Sequence, residues 1–264
     1  MTEENKKPIA FFDSGVGGLT VFAKVKKLLP EENYLYFGDT KNMPYGEKTE
    51  AQLIDYADRI FKFFEGENAK AVVMACNTTS AITYEKLKDR YKFKIYPIIQ
   101  SVSATLAKLE NLKRLCIIAT PATINSHAYS KEIAKYNKDI EVFEIPAPGW
   151  VKIVEEHRIN HIESINEVKN ILEQAQKFNP DKIVLGCTHY PYLMSILKRF
   201  EAEEKFIDPS VYFAENIKQD LQNKGLLNNK FEYEKFFVSS NPENFKTASE
   251  LFYKLKKAPT LKSV

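Results

Sequence analysis

Two short stretches of the chain, VVMACNTTSA at 72–81 and IVLGCTHYPYL at 183–193, follow the same plan. In each, an apolar run and one small residue lead to a cysteine, and polar residues come directly after it. A short apolar run bounded in this way is typical of a buried strand in a parallel sheet. Ligands of open α/β sheets bind beyond the carboxyl ends of such strands. The two stretches therefore predict an α/β fold with two thiols at ligand-binding edges.

Further apolar runs alternate with longer helical patterns along the rest of the chain. The predicted strands are Ile9–Phe12, Tyr34–Phe37, Ala71–Ala75, Lys94–Ile99, Leu115–Ala119, Glu141–Ile145, Lys182–Gly186, Lys205–Ile207 and Lys235–Val238. The predicted helices cover 19–30, 49–65, 78–91, 101–110, 124–136, 163–178, 191–200, 211–222 and 243–256. This alternation predicts an α/β protein whose mainly parallel sheets are flanked by helices on both faces.

The segments IAFFDS and LCIIAT echo each other, because each is an apolar run that ends in a polar pair. Cys76 lies 63 residues after Asp13, and Cys187 lies 67 residues after Thr120. Similar order at similar spacing predicts two related halves.

The chain is expected to cross between these halves twice. The first crossing is predicted near Gln100, and the second at Asp208-Pro209, because proline favours a break there. The prediction is a discontinuous first α/β domain, 1–99 plus 209–264, and a second α/β domain, 100–208.

The composition favours a soluble globular protein. Lys and Arg together number 38 and Asp and Glu 35, which gives a net charge of +3 and no support for nucleic acid as a partner. The first residues, MTEENKKPIAFF, lack the order of a signal peptide. No apolar run approaches the roughly 20 residues that a membrane span needs. With three cysteines and no secretion signal, we expect a cytoplasmic protein with reduced thiols and no membrane contact.

A free cysteine at a strand end can be a simple packing residue or a reactive group. Most free cysteines behave as small buried hydrophobes, and Cys116 fits that role because it lies inside the apolar run RLCIIA. The first turn of a helix, in contrast, presents unpaired N–H groups and a positive dipole end, which favour a thiolate. Cys76 and Cys187 both precede polar residues and predicted helices, so the matched pair favours reactive thiols.

The sequence does not predict a metal or a cofactor. Cys187 and His189 could both ligate a metal, but no CxxC or HxxxH spacing accompanies them. The loop DSGVGG at 13–18 can hold an anion on backbone N–H groups, yet it matches neither GxGxxG nor a Walker loop. No lysine has the setting of a pyridoxal site. We therefore expect chemistry carried by side chains alone.

The motifs FFDSGVGGLTV, PYGEKT, ACNTTSA, TPATI and LGCTHYPYL occur in the order and spacing of bacterial glutamate racemases. The chain resembles that family, within the aspartate/glutamate racemase superfamily, over nearly its whole length. The resemblance implies a cofactor-independent enzyme that interconverts L- and D-glutamate and supplies D-glutamate for peptidoglycan. It also implies two α/β domains related by a pseudo-twofold axis, with the active site between them, and a homodimer.

The resemblance also implies roles for individual residues. Cys76 and Cys187 become the two catalytic acid/base groups, with Asp13 and His189 as the groups that support them. The residues implied to surround the substrate are Asp13, Ser14, Tyr45, Gly46, Asn77, Thr78, Thr120, Thr123, Thr188 and His189. Glu155 resembles an acidic residue near the second thiol, although the preceding PAPGWVKI departs from the family's commoner Cys-Pro-Leu.

Three alternatives remain open at this stage. An aspartate racemase or another carboxylate racemase would use the same scaffold, since pocket shape decides substrate size. A decarboxylase would need only one proton donor, so the paired thiols disfavour it. A two-lobed binding protein for a small carboxylate would need neither thiol.

Overall fold

The strands of the chain are short, strongly apolar and parallel to their neighbours. The computed structural model describes residues 2–264, and within that range ten strands form two sheets in which every pairing is parallel. The strands are β1 Ile9–Asp13, β2 Tyr34–Gly38, β3 Ala71–Met74, β4 Lys94–Pro97, β5 Arg114–Ala119, β6 Glu141–Pro146, β7 Lys182–Gly186, β8 Phe206–Ile207, β9 Glu234–Val238 and β10 Thr260–Leu261. All nine predicted strands are present, and β10 was not predicted.

Helices connect most of these strands. They are α1 Glu3–Lys6, α2 Leu19–Leu28, α3 Glu50–Gly66, α4 Asn77–Leu87, α5 Ile98–Leu106, α6 Pro121–Ser126, α7 Ala128–Tyr136, α8 Trp150–Glu155, α9 Ile162–Gln176, α10 Met194–Leu197, α11 Pro209–Asn223 and α12 Pro242–Ser249. Short 3-10 turns cover Tyr45–Glu47, Tyr190–Leu193 and Glu203–Lys205. Among residues 2–264, no helix is long and apolar enough to cross a bilayer.

The chain divides into two compact units. Unit 1 takes the residues up to Ile98 together with Ser210–Val264, and unit 2 is Ile99–Pro209. The bounds of the predicted domains differ from these by one residue at each crossing. Both crossings fall at the first residues of helices, α5 and α11.

The sheet of unit 1 is covered on both faces. Along β1, Phe12 meets Phe61 of α3 at a ring-centroid distance of 6.0 Å, and the next residue back, Phe11, meets Phe22 of α2 at 5.2 Å. Successive side chains of a strand point to opposite faces, so α2 and α3 lie on opposite sides of the sheet. All five residues of β1 and of β2 are buried, as expected for strands with helices on both faces.

The sheet of unit 2 is built around the apolar strand β5, of which Leu115–Ala119 are fully buried. Helices α7 and α9 each turn a buried apolar stripe inward, represented by Ile133 and Leu172. At the edge, Phe143 of β6 stacks on Phe178, which follows α9, with ring centroids 4.2 Å apart.

The two sheets repeat one strand order. Unit 1 contains the order β2-β1-β3-β4, extended beyond β2 by β9 and β10, and unit 2 contains β6-β5-β7-β8. In both, the first strand is central, the second lies on one side, and the third and fourth lie on the other. The predicted α/β class with two parallel sheets is confirmed. The repeated strand order supports the prediction that the two halves are structurally related.

Several predicted helices differ from the structure. The helix predicted at 124–136 is broken at His127, whose φ of 54° is left-handed and separates α6 from α7. The helix predicted at 191–200 begins as the 3-10 turn Tyr190–Leu193 and continues only as the short α10. The helix predicted at 243–256 ends at Ser249, and the basic residues beyond it lead into β10.

A buried polar network lies in unit 1 at the end of the sheet where the strands begin. The Lys70 ammonium contacts a Glu32 carboxylate oxygen at 2.6 Å, and both side chains are about 99% buried. Lys70 also donates to the carbonyls of Asn5 (2.7 Å) and Leu226 (2.8 Å), while Glu32 accepts from the Asn228 N–H at 2.8 Å. The network therefore joins the two chain segments that make up unit 1.

Burial acts against the charges of this pair, since it raises the pKa of Glu32 and lowers the pKa of Lys70. The mutual contact of the pair and the Asn228 N–H act in the opposite direction and favour the charged forms. Removing one partner would leave the other charge buried and uncompensated.

We expect Lys70→Met to lower the free energy of unfolding by about 3–5 kcal/mol, because it leaves the Glu32 carboxylate buried without a counter-charge. Urea unfolding followed by far-UV circular dichroism measures the change. Lys88→Met is the control, since the Lys88–Glu85 pair is solvent-exposed and its loss should leave the midpoint unchanged. Equal midpoints for the two variants would contradict a stabilising role for the network.

Candidate active site

The carboxyl edge of the unit 1 sheet gathers the site residues predicted in the first half of the chain. β1 and β3 are neighbouring parallel strands, so their ends meet at one edge. Asp13 is the last residue of β1, and Cys76 comes two residues after the end of β3. Asn77 and Thr78 open α4 beside Cys76 and are buried, and Ser14 is half-buried.

Cys76 occupies the N-cap position of α4. Its backbone is extended (φ −69°, ψ 122°), and its carbonyl accepts the first helical hydrogen bond, from the Ser80 N–H at 3.0 Å. The thiol is therefore set at the positive end of an eleven-residue helix, where a negative charge is favoured. The residue is buried, with 8% of its surface exposed.

The glycine-rich loop after β1 is shaped around Asp13. The Gly15 N–H donates to a carboxylate oxygen of Asp13 at 2.9 Å, and the Tyr36 hydroxyl donates to the Gly15 carbonyl at 2.7 Å. A Cβ at Gly18 would lie 2.4 Å from Asp13 Cβ, so only glycine fits there. The loop therefore fixes the Asp13 side chain at the strand end.

Tyr45 and Gly46 differ in their settings although they are neighbours in one 3-10 turn. The Tyr45 side chain is buried, and its hydroxyl donates to Asp39 at 2.6 Å. Gly46 is exposed and has open space on its Cβ side. The Tyr45 hydroxyl thus holds the turn in place, while the backbone at Gly46 is accessible to a ligand.

The carboxyl edge of the unit 2 sheet gathers the remaining predicted residues. Thr120 follows β5 directly and Cys187 follows β7 directly, and β5 and β7 are paired in parallel. Thr120 caps α6, where its hydroxyl oxygen lies 3.0 Å from that of Thr123 and 3.4 Å from the Thr123 N–H. Thr188 is buried next to the thiol.

Cys187, His189 and Glu155 form a hydrogen-bonded chain. The sulfur of Cys187 lies 3.8 Å from His189 Nδ1, and His189 Nε2 lies 3.0 Å from a carboxylate oxygen of Glu155. Burial alone would lower the pKa of His189, but its hydrogen bonds to Cys187 and Glu155 and their negative charges outweigh burial and raise that pKa to about 10. The imidazolium form of His189 is therefore favoured at neutral pH, and its ring lies between the Cys187 sulfur and the Glu155 carboxylate.

The two thiols differ in what supplies the nearby positive charge. Cys187 precedes a 3-10 turn of four residues, Tyr190–Leu193, rather than the α-helix that the sequence predicted. A helix dipole of the kind that faces Cys76 is therefore not available to it, and the imidazolium of His189 takes that role.

Cys116 has neither kind of support. It lies within β5 with no exposed surface, and burial raises the pKa of its thiol to about 12. The predicted packing role fits this setting. Among residues 2–264, no group of three or more His, Cys, Asp or Glu side chains is arranged to hold a metal ion.

A family model described as Asp/Glu/Hydantoin racemase matches residues 18–214 of the chain, well over half of its length. The chain belongs to the Asp/Glu/hydantoin racemase family. The resemblance predicted from the motifs is thereby confirmed.

Individual members of the Asp/Glu/hydantoin racemase family match nearly the whole chain. Glutamate racemase 2 of Caldanaerobacter subterraneus subsp. tengcongensis is 37% identical over 249 residues, which are 94% of this chain and 93% of that protein. The glutamate racemase of Thermoanaerobacter sp. (strain X514) is 36% identical over 247 residues, 93% and 92% of the two chains. The crystal structure of glutamate racemase from Francisella tularensis in complex with D-glutamate superposes with a TM-score of 0.91 at 32% identity, covering 98% of each chain.

Asp39 lies beside the predicted site residues Asp13 and Tyr45, and the motifs did not single it out. Its buried carboxylate accepts from the hydroxyls of Tyr45 and Ser239, both at 2.6 Å, and from the Asn42 amide. Its backbone N–H donates to the Asp13 carbonyl at 3.0 Å. Asp39 thus joins the turn that carries Gly46 to the end of β1. The available signal was the stretch YFGD, which ends a strand in an aspartate as FFD does.

We expect iodoacetamide to label Cys76 and Cys187 in the folded protein at pH 8, and to leave Cys116 unlabelled until the chain is denatured. The reagent attacks thiolates, and the Cys116 thiol is buried and stays protonated below about pH 12. Mass spectrometry of the digested protein gives the labelling rate of each cysteine.

The same experiment tests the pairing of Cys187 with His189. In His189→Asn the labelling of Cys187 should slow by about ten-fold or more, because the nearby cation is lost. Cys76 is the internal control, since its helix is intact. Equal slowing of both cysteines would show a general loss of access instead.

Proposed function

We propose that the chain racemises glutamate without a cofactor, using Cys76 and Cys187 as a pair of proton-transfer groups on one substrate. The observation that carries the proposal is the matched placement of the two thiols. Each follows the third strand of the repeated strand order, β3 or β7, and each is next to a fixed positive charge or dipole. The names of the curated relatives and the D-glutamate bound by the Francisella tularensis protein support glutamate as the substrate.

Racemisation removes the Cα proton from one face of the amino acid and returns a proton to the other. Two groups on opposite sides of the carbon accomplish this without turning the substrate over. In our proposal the Cys187 thiolate takes the proton of L-glutamate, and the Cys76 thiol delivers one to the opposite face. The reverse reaction exchanges these roles, so each turnover leaves one thiol and one thiolate.

The settings of the two cysteines suit these roles. The imidazolium of His189, held by Glu155, balances the charge of a Cys187 thiolate before the proton moves. The positive end of α4 balances the charge left on Cys76 after it has delivered its proton. Asp13, fixed by the Gly15 N–H, is proposed to support Cys76 in a different way from His189, because a carboxylate can accept a hydrogen bond from the thiol but cannot balance a thiolate charge.

The carbanion formed at Cα is the costly species in the absence of a cofactor. Hydrogen bonds aimed at the substrate carboxylate lower that cost, since negative charge spreads onto the carboxylate as the proton leaves. The donors that we propose are the hydroxyl and amide groups at the two sheet edges, with the backbone of the turn at Gly46. They are the side chains of Ser14, Asn77, Thr78, Thr120, Thr123 and Thr188, with the backbone N–H groups of Tyr45, Gly46 and His189.

The biological setting follows from the same proposal. D-glutamate made by the enzyme would supply peptidoglycan synthesis in the cytoplasm, and we propose a homodimer as the working form. The bacterial origin of the matching glutamate racemases supports this setting.

We expect Cys76→Ala and Cys187→Ala each to reduce racemisation by at least about 10²–10⁴-fold, since each removes one proton-transfer group. Cys116→Ala should keep the activity of the unmodified chain. Circular dichroism of exchange between L- and D-glutamate measures the rate, and L-aspartate under the same conditions tests the aspartate alternative. Near-normal turnover by either of the first two variants would remove that cysteine from the mechanism.

In D₂O we expect newly formed D-glutamate to carry deuterium at Cα from the first turnovers, while unreacted L-glutamate stays protiated. The reason is that the removed proton stays on one cysteine while the other delivers a deuteron drawn from solvent. Mass spectrometry of the separated enantiomers at low conversion measures both. Abundant unlabelled D-glutamate would indicate a single base that serves both faces, even in a working racemase.

A further inference from the structure

Helix α8, which carries Glu155, is held by two consecutive residues of unit 2. His189 contacts the carboxylate of Glu155 at the end of the helix, at 3.0 Å. Tyr190 reaches the start of the helix, where its hydroxyl donates to the Ala147 carbonyl at 2.7 Å. The Tyr190 ring also meets Trp150, the first residue of α8, edge-on at 4.9 Å between ring centroids.

The start of α8 has no side-chain cap of its own, because its N-cap is Gly149. The indole N–H of Trp150 is buried and has no hydrogen-bond partner within residues 2–264, so the indole ring is held by packing alone. Ala147 has two polar ties: its N–H donates to the Ala119 carbonyl at 2.9 Å, and its carbonyl accepts from the Tyr190 hydroxyl and, at 3.4 Å, from the backbone N–H of Trp150.

The far end of α8 carries Glu155, whose neighbours Ile153 and Val154 are buried. Glu155 has 29% of its side chain exposed, so burial does not confine its carboxylate. The helix rises about 1.5 Å per residue, which places Glu155 roughly 7–8 Å beyond Trp150, and a small tilt at the start moves the carboxylate away from His189. A hydrogen bond of 3.0 Å tolerates only a few tenths of an ångström before it weakens.

We propose that the Tyr190 hydroxyl is a positioning group for the reaction, because it fixes the start of α8 and so holds Glu155 against His189. The inference rests on the proposed function, and it adds a residue to which the family's motif roles assign nothing. The Tyr190 backbone N–H also donates to the Cys187 carbonyl at 3.1 Å, but the role proposed here belongs to the hydroxyl. It acts on Cys187 through Ala147, α8, Glu155 and His189 in turn.

A fully buried tyrosine can instead be a simple packing residue. That reading predicts lower stability for Tyr190→Phe without any change in the protonation of His189. The two readings therefore differ in a measurable way, because only positioning alters the contact between Glu155 and His189.

The test is Tyr190→Phe, which deletes one oxygen atom. His189 should lose part of its support from Glu155, and its pKa, about 10 in the intact protein, should fall by about one unit or more. Activity that requires the imidazolium is lost as pH rises through this pKa, so the alkaline limb of kcat/KM should move to lower pH by the same amount. At pH 8 most of His189 stays protonated in both proteins, so kcat/KM should change little there, and the loss should approach about ten-fold only above about pH 10. The chain has four histidines, so NMR titration can follow His189 directly.

Tyr34→Phe is the matched control. Tyr34 is equally buried, and its hydroxyl donates to the Leu29 carbonyl at 2.6 Å, but it lies in unit 1 at the start of β2. It should lose comparable stability and leave the pH profile and the His189 titration unchanged. In a Glu155→Gln background, the effect of Tyr190→Phe on kcat/KM should largely disappear, since the coupled contact is already weakened.

The outcomes separate the two claims. A Tyr190→Phe protein that behaves like Tyr34→Phe, or that cannot fold, would overturn the positioning role. So would full additivity with Glu155→Gln. If the unaltered chain failed to racemise glutamate, the proposed function would fall, yet the NMR titration would still show whether Tyr190 governs the pairing of Glu155 with His189.

Discussion

Parallel pairing of the central strands with the strands that precede the cysteines is the constraint on which the site depends. Parallel strands end at the same edge, so the pairing of β1 with β3 brings Asp13 and Cys76 to one place. The pairing of β5 with β7 does the same for Thr120 and Cys187. Strand ends are also where the backbone leaves the sheet with polar groups to satisfy, which explains why hydroxyl and amide side chains collect there.

The two edges reach a similar electrostatic result by different means. At Cys76 the positive field comes from aligned peptide groups of α4, which carry no proton to lose. At Cys187 it comes from His189, whose charge is opposed by burial and favoured by the hydrogen bonds to Cys187 and Glu155. The positive field at Cys76 therefore does not change with pH, whereas the field at Cys187 persists only while the imidazolium of His189 is protonated.

Much of this architecture could be predicted from the sequence, because strands buried on both faces leave uninterrupted apolar runs. The positions of Cys76 and Cys187 at strand ends followed from those runs, and the packing role of Cys116 followed from its place inside one. The break at His127 could not be predicted, because a left-handed residue leaves no mark on helical periodicity. Helix α8 was missed because six residues after PAPG give too short a pattern, although Glu155 itself was found by resemblance. Asp39 was missed because its partners, Tyr45 and Ser239, are distant from one another in the sequence.

The Lys70–Glu32 network has a consequence for the order in which the protein is made. Lys70 and Glu32 leave the ribosome early, but two of their backbone partners, at Leu226 and Asn228, follow all of unit 2. Until those residues are synthesised, the nascent first segment holds an ammonium and a carboxylate that water, rather than protein, must solvate. Unit 2 is continuous in sequence, so its compact unit does not need residues that are synthesised later. During synthesis the inserted half can therefore complete its core while the half that encloses it in sequence is still open.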